Sequence, residues 1–322
     1  MKSRFLNIIA IRSRTVSVLA VTLGLFAFST LAKAVTLTLD FADGEGTSSV
    51  DQWTGKNGGV WRNAWAIKNA VTDGSATFAS TGVSNTSPLY TGGGNHLKFV
   101  MDTTAITSGS RSAAAIRKLE TDVIDLARTI TYSFYFRLEN DPSTITASSY
   151  RGPQYAIFAD TSTNGVASTG SGNTWLIQTT STAGNSTSYW ELGDGNGTGS
   201  STLVKTTMKA EAGVTYFFTV VSDPATRTWT VSINNGSTTY DSVTAGLTLD
   251  YRSIAADNAG QWLQFAIKDL TADNTESLAY SLDHITVSQA DAPVVPEPMT
   301  TALFLGAGAF LAVAIIRRRA SR

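Results

Sequence analysis

Residues 214–237 read VTYFFTVVSDPATRTWTVSINNGS, and this stretch decides the fold class. Its second half alternates Trp229, Val231 and Ile233 against Thr228, Thr230 and Ser232. A period of two puts one set on each side of a strand, with one side buried and the other wetter. The first half, VTYFFTVV (214–221), is apolar on both sides, as a strand inside a sheet would be. Between the halves Asp223-Pro224-Ala225-Thr226 has turn chemistry. After them Asn234-Asn235-Gly236-Ser237 contains Asn-Gly, whose tolerance of positive φ makes it a strong hairpin signal. Residues 214–241 therefore read as a three-strand meander.

The same period recurs along the chain. VTLTLDF (35–41) alternates Val35, Leu37, Leu39 and Phe41 against Thr36, Thr38 and Asp40. TITYSFYFRL (129–138) alternates Tyr132, Phe134, Phe136 and Leu138 against Ser133, Tyr135 and Arg137. WLQFAIK (262–268) alternates Leu263, Phe265 and Ile267 against Trp262, Gln264 and Lys268, and SLDHITV (281–287) puts Ile285 and Val287 on one face. The one helix-like window is RSAAAIRKLETDVIDLAR (111–128); its early part reads equally well as a strand, which leaves at most one or two helical turns. No internal repeat has a fixed period, and the first clear linker is QADAPVVP (289–296). Strands throughout with no helical layer predict an all-β fold: a single two-sheet antiparallel β-sandwich over 35–289, followed by a linker at 290–295.

Composition narrows the function. Nine of the 24 Lys and Arg residues lie in 1–34 or after 316, while Glu297 is the one acidic residue of 25 outside 35–295. That span thus carries 15 basic and 24 acidic side chains, a net charge of −9. An acidic body without a basic stripe argues against nucleic acid as a partner. It suits an extracellular protein or one that gathers cations. The chain has no cysteine, which excludes thiol catalysis, Cys-zinc sites and stabilisation by disulfides.

Both ends have the pattern of addresses. Lys2, Arg4, Arg12 and Arg14 precede an apolar run VSVLAVTLGLFAF (16–28), and Ala32-Lys33-Ala34 supplies an A-x-A cleavage site. Residues 1–34 thus read as a signal peptide for Sec-dependent export. At the other end, the segment 296–322 holds Pro296-Glu297-Pro298, an apolar run at 300–316, and Arg317, Arg318 and Arg319. The run is just long enough to span a bilayer as a helix, and arginines after it stay cytoplasmic. The two prolines keep the motif before the span extended and open to a protease.

Catalytic chemistry is thin. There are two histidines, His96 and His284, and each reads more naturally as a strand residue than as a catalytic base. No G-x-S-x-G, H-E-x-x-H or phosphate loop occurs. GDGNGTG (193–199) matches the first half of an EF-hand loop through Asp194, Asn196, Thr198 and Gly199, but Lys205 stands where the bidentate Glu belongs. Its strand-like flanks favour a polar hairpin loop. Glu191 and Asp194 are the nearest approach to a glycosidase carboxylate pair, and they break the Glu-x-Asp-x-x-Glu spacing of laminarinase-type sandwiches.

Aromatics supply the remaining hint. All seven Trp lie in the body, and sugars stack their apolar C–H faces on flat rings. By strand parity Trp229 faces the core, while Trp262 sits with Gln264, Tyr135 with Arg137 and Tyr189 with Glu191 on wetter faces. These six residues are the candidate ligand set for a concave sugar-binding sheet. The alternative is that the rings cover a second buried face or fill a sheet edge.

The tail resembles the PEP-CTERM sorting signal of Gram-negative bacteria, with motif, apolar span and arginines in order. The resemblance implies an exosortase as sorting enzyme, an inner-membrane intermediate, and delivery to the cell surface or an exopolysaccharide matrix. The body resembles the concanavalin-A-like jelly-roll sandwiches through LTLDF (37–41), WTGKNGGVWRNAWAI (53–67), the 214–233 meander and SLDHITVS (281–288). That likeness implies carbohydrate binding and a structural calcium near the first and last strands, for which Asp43, Glu45 and Asp283 are the expected ligands; no cofactor is required. Three functions emerge as expectations: a non-catalytic carbohydrate-binding or adhesive module, a structural matrix protein, and a polysaccharide glycosidase or lyase. Intact mass and the C-terminal peptide of the mature protein from its host should show a start at Val35 and a terminus near Pro296 without the arginines. A terminus at Arg322 would instead mean a permanent inner-membrane anchor.

Overall fold

A computed structural model describes residues 34–39, 41, 65–71, 79–102, 111–142, 154–161, 172–180, 187–197, 199–252, 259–270 and 277–290. The expected signal peptide 1–34 apart from Ala34, the expected sorting segment 296–322, and Asp43 and Glu45 lie outside these residues. Among the described residues no helix is long and apolar enough to cross a membrane. Val35–Ala290 forms a compact unit by itself.

Among the described residues sixteen strands occur, in the order β1 (Val35–Leu39), β2 (Ala66–Val71), β3 (Ala79–Ser84), β4 (His96–Asp102), β5 (Arg111–Lys118), β6 (Ile130–Leu138), β7 (Gln154–Asp160) and β8 (Asn173–Thr180). Then come β9 (Tyr189–Gly195), β10 (Ser201–Lys209), β11 (Thr215–Asp223), β12 (Thr228–Asn234), β13 (Thr239–Asp241), β14 (Leu249–Asp250), β15 (Trp262–Leu270) and β16 (Ser277–Gln289). They form two antiparallel sheets. The nine-stranded sheet has the order β13-β12-β11-β6-β16-β4-β3, with β1 also on β16 and β14 also on β12; the seven-stranded sheet has the order β10-β9-β8-β7-β15-β5-β2. The chain is an all-β two-sheet sandwich, as the alternation predicts.

The three-strand meander forms. β11 pairs with β12, β12 with β13, and β11 also with β6, so the doubly apolar strand has neighbours on both sides. In the first turn Asp223 Oδ1 accepts the Ala225 amide at 3.0 Å. In the second, Gly236 takes φ +86° and Asn234 Oδ1 accepts its amide at 2.7 Å.

The 111–128 window resolves in favour of the strand. Ala113 and Ala115 face the main core while Ala114 and Ile116 lie in a second apolar cluster on the other side of the sheet. Pairing with β2 and β15 satisfies the backbone on both edges, and this overrides the helix propensity of the alanines. After β5 the chain makes a turn in which Ile124 N donates to Glu120 O at 3.0 Å; no α-helix forms among the described residues.

Aromatic rings join the sheets. Phe265 of β15 packs edge-on to Phe134 at 5.3 Å between ring centres and stacks with Phe136 at 6.2 Å, both on β6. Tyr280 of β16 lies 6.5 Å away, and its hydroxyl donates to the Phe265 carbonyl at 2.8 Å. Trp175 and Trp190 enter from the seven-stranded sheet to meet Tyr132, Trp229, Phe136 and Phe218. Phe265→Ala should lower unfolding free energy by about 3–5 kcal/mol, as for other large-to-small changes in a packed core. Urea titration checks this, and a loss under about 1 kcal/mol would mean the sheets are not joined through this ring.

Candidate functional site

Because Phe134 and Phe136 point inward, Tyr135 and Arg137 point out of the nine-stranded sheet. That outer face is mostly hydroxylated: Thr131 and Ser133 on β6, Thr219 on β11, Thr230 and Ser232 on β12, and Thr286 and Ser288 on β16 are all half-exposed. An aromatic island stands among them. Phe217 is the cross-strand neighbour of Tyr135, with ring centres 4.7 Å apart. Tyr90, from the loop between β3 and β4, lies flat on Tyr135 at 4.7 Å and 14°. His284 meets Tyr90 edge-on at 5.5 Å and Tyr135 at 6.3 Å.

A bulge aims the histidine. Between Asp283 and Thr286 the β16–β6 register slips, and His284 adopts φ +48°, a left-handed conformation unusual for a residue with a side chain. Asp283 Oδ1 accepts the His284 amide at 2.7 Å, which fixes the bend. The slip keeps Leu282 and Ile285 in the core while Asp283 and His284 both face away from it. Among the described residues the buried His284 Nδ1 has no hydrogen-bond partner.

Beside the island, charges are locked together. Arg137 Nε donates to Glu139 Oε1 at 2.9 Å, Nη2 lies 2.9 Å from the same oxygen, and Ser281 Oγ donates to it at 2.5 Å. Arg137 Nη1 donates to Ser87 O at 2.7 Å, tying the Tyr90 loop to the sheet. His96 opens β4 and is 1 % exposed. Burial, reinforced by the Arg137 guanidinium, pushes its pKa down to about 4.

The expected ligand set is divided between opposite faces of the sandwich. Tyr135 and Arg137 lie on the nine-stranded sheet; Trp262, Gln264, Tyr189 and Glu191 lie on the outer face of the seven-stranded one. There Trp262 on β15 and Tyr189 on β9 stand on strands separated by β7 and β8, each under a lysine. Lys118 Nζ is 5.0 Å from the Trp262 ring centre, and Lys205 Nζ is 3.8 Å from that of Tyr189. This face is not the open one that parity suggested. Gln264 is 0 % and Lys268 5 % exposed, and Ala114, Ile116, Ala156, Phe158, Leu176 and Ala266 form a buried apolar cluster against which Trp262 packs. Trp262 itself is half-exposed and lies against this cluster at its edge.

Strand parity separates the acid pair. Glu191 faces outward, whereas Asp194 shares the parity of the core residues Trp190 and Leu192, and its Oδ1 accepts the Asp250 amide at 3.0 Å. By strand parity the two carboxylates leave β9 on opposite sides. Residues 193–195 of the GDGNGTG segment end β9, and the chain then turns into β10, with Asn196 N donating to Ser200 O at 3.2 Å. Gly195 is required there, because a Cβ would stand 2.2 Å from the Tyr251 carbonyl oxygen. Of the three expected calcium ligands Asp283 alone is described, and no cluster of three or more metal-binding side chains occurs among the described residues.

Tyr90 and Phe217 are not singled out by the sequence, and His284 reads there only as a strand residue on a sheet face. Tyr90 sits in an aperiodic loop, and Phe217 reads as one more apolar residue of an inner strand. The bulge that turns His284 toward the rings depends on pairing with β6. The depressed His96 pKa generates a pH effect. The unfolded chain binds a proton near pH 6.5 that the folded chain refuses until about pH 4, so this stability is full above pH 6.5 and falls as the pH drops through that window. Between about pH 7 and pH 4 the wild type should lose up to about 3 kcal/mol more than His96→Gln, measured by urea unfolding. Equal losses would show that His96 does not couple folding to protons.

No family model and no curated protein matches the chain. Several solved structures are similar in shape at low identity. Lectin II from Ulex europaeus is 13% identical, with 80% of this chain and 99% of that one covered at a TM-score of 0.41. Peanut lectin with a 9mer peptide is 11% identical, with 81% and 100% covered at 0.42. A sialidase is 12% identical, with 70% of this chain but 17% of that one covered at 0.41. Similarities this distant identify neither a family nor a ligand for this chain.

Proposed function

We propose that this protein is exported and sorted to the cell surface or extracellular matrix, and that its sandwich, of the concanavalin-A-like jelly-roll kind, binds carbohydrate without catalysis. The observation that carries the binding is the ring island of Tyr90, Tyr135, Phe217 and His284, half-exposed on a face otherwise rich in Ser and Thr. Aromatic faces accept the C–H faces of sugar rings, and surrounding hydroxyls and amides exchange hydrogen bonds with sugar hydroxyls at little desolvation cost. Export is supported by the basic, apolar and Ala32/Ala34 parts of the N-terminal segment. Sorting by an exosortase is supported by Pro296, Glu297, Pro298 and the three arginines after the apolar run. Exopolysaccharide is the matching partner in that setting.

Affinity electrophoresis through gels containing soluble polysaccharides tests the binding. Tyr135→Ala should weaken retardation at least tenfold, whereas Trp262→Ala, on the opposite face, should leave it within twofold. Absence of retardation of both wild type and Tyr90→Ala on every polysaccharide would turn the reading toward a structural matrix protein.

A further inference from the structure

Resting on that carbohydrate-binding reading, we infer that Tyr90 is a built-in occupant of the saccharide subsite, and that the subsite takes a neutral pyranose. Tyr90 lies parallel to Tyr135 at 4.7 Å, the place and orientation a sugar ring takes on an aromatic platform. With Tyr90 swung away, Tyr135 becomes the floor of a slot. Phe217, inclined by 43°, forms one wall and His284, inclined by 60°, the other. The His284 Nδ1, without a partner among the described residues, then faces the slot as a hydrogen-bonding group for a hydroxyl.

The loop is built to let Tyr90 move while its ends stay fixed. On the near side Leu89 is buried, and Arg137 holds the Ser87 carbonyl. On the far side Asn95 Nδ2 donates to Phe41 O at 3.4 Å and His96 is buried. Between these anchors stand Tyr90, Thr91 and three consecutive glycines. Gly92 takes φ +86°, and nothing lies within 4 Å of where a Cβ would be at Gly92 or Gly94, so the glycines have both conformational freedom and room. The ring stack and the Gly93 amide, which donates to Tyr90 O at 3.0 Å, help keep the ring in place. A ligand must displace the ring, so apparent affinity is reduced by the fraction of molecules in which Tyr90 is out.

Charge selects the ligand class. Arg137, the cation beside the slot, is paired with Glu139, and the carboxylate of Asp283 stands next to His284 and accepts its amide. The body around it has a net charge of −9, which repels polyanions. A neutral hexopyranose fits; a uronate does not.

The test is affinity electrophoresis of the full-length protein in mild detergent, through gels containing a β-glucan, a mannan, a galactan or a polygalacturonate. Tyr90→Ala should bind one of the neutral polymers about threefold to tenfold more tightly than wild type, the scale of one aromatic pair. Gly93→Ala should act in the same direction without removing the ring, because its Cβ would stand 3.0 Å from the Tyr90 ring and carbonyl oxygen. Binding that appears in Tyr90→Ala and is absent in wild type also supports the inference. Unchanged or weaker binding by both variants, with wild type retarded and Tyr135→Ala not, overturns it and leaves the carbohydrate reading standing. Retardation on polygalacturonate alone overturns the ligand class. No retardation of wild type or either variant overturns both.

Discussion

The fold depends on one contact layer, the aromatic packing between the sheets around Phe265. That ring touches Phe134, Phe136, Tyr280 and Trp65, so residues from both sheets and a loop converge on it. A chain without cysteine has no covalent alternative, and apolar burial must hold the layers together. The hydrogen bond from Tyr280 to the Phe265 carbonyl adds direction to that burial. It crosses from one sheet to the other and matches a buried hydroxyl with a buried acceptor.

The inward set determines the outward one. Once Phe134 and Phe136 are committed to the core, Tyr135 has no choice of side, and cross-strand register brings Phe217 to it. The bulge at Asp283 and His284 lets one strand keep both halves in the core while turning an extra residue outward. Local strain at φ +48° is tolerated because the strand is paired with β6 on either side of the bend and with β4 before it. The terminal strands obey the same rule. Val35 pairs with Gln289, so the first and last strands close one part of the nine-stranded sheet together. The turn after β5 fastens that end: Gln289 Nε2 donates to Asp125 O at 2.7 Å, and its Oε1 accepts the Asp125 amide at 3.2 Å.

The candidate ligand residues separate two kinds of inference. Parity places Trp229, Tyr135 and Trp262 on the sides they occupy, because alternation is a property of a single strand. Exposure was not. Gln264 has the outward parity predicted for it, yet it is fully buried with both amide atoms lacking partners among the described residues. Whether a face is open depends on what packs over it, which no seven-residue window records. The grouping of Tyr135 with Trp262 and Tyr189 failed for a related reason: period-two patterning says that a residue points away from the core, but not which of two opposite outer faces it reaches.

The sequence by itself determined the β character, the meander and its turns, the core parity of most strands, and the charge and cysteine constraints. These are local properties, written in neighbouring residues through the geometry of a pleated strand and the φ preferences of Asn-Gly and Gly. The tertiary structure decided strand order, the fate of the alanine-rich 111–118 segment, and the company each outward residue keeps. Tyr90 and Tyr135 lie 45 positions apart and His284 is 149 beyond Tyr135, so their meeting depends on long-range pairing and a register slip. Those features come from the packing of two whole sheets, and no local pattern encodes them.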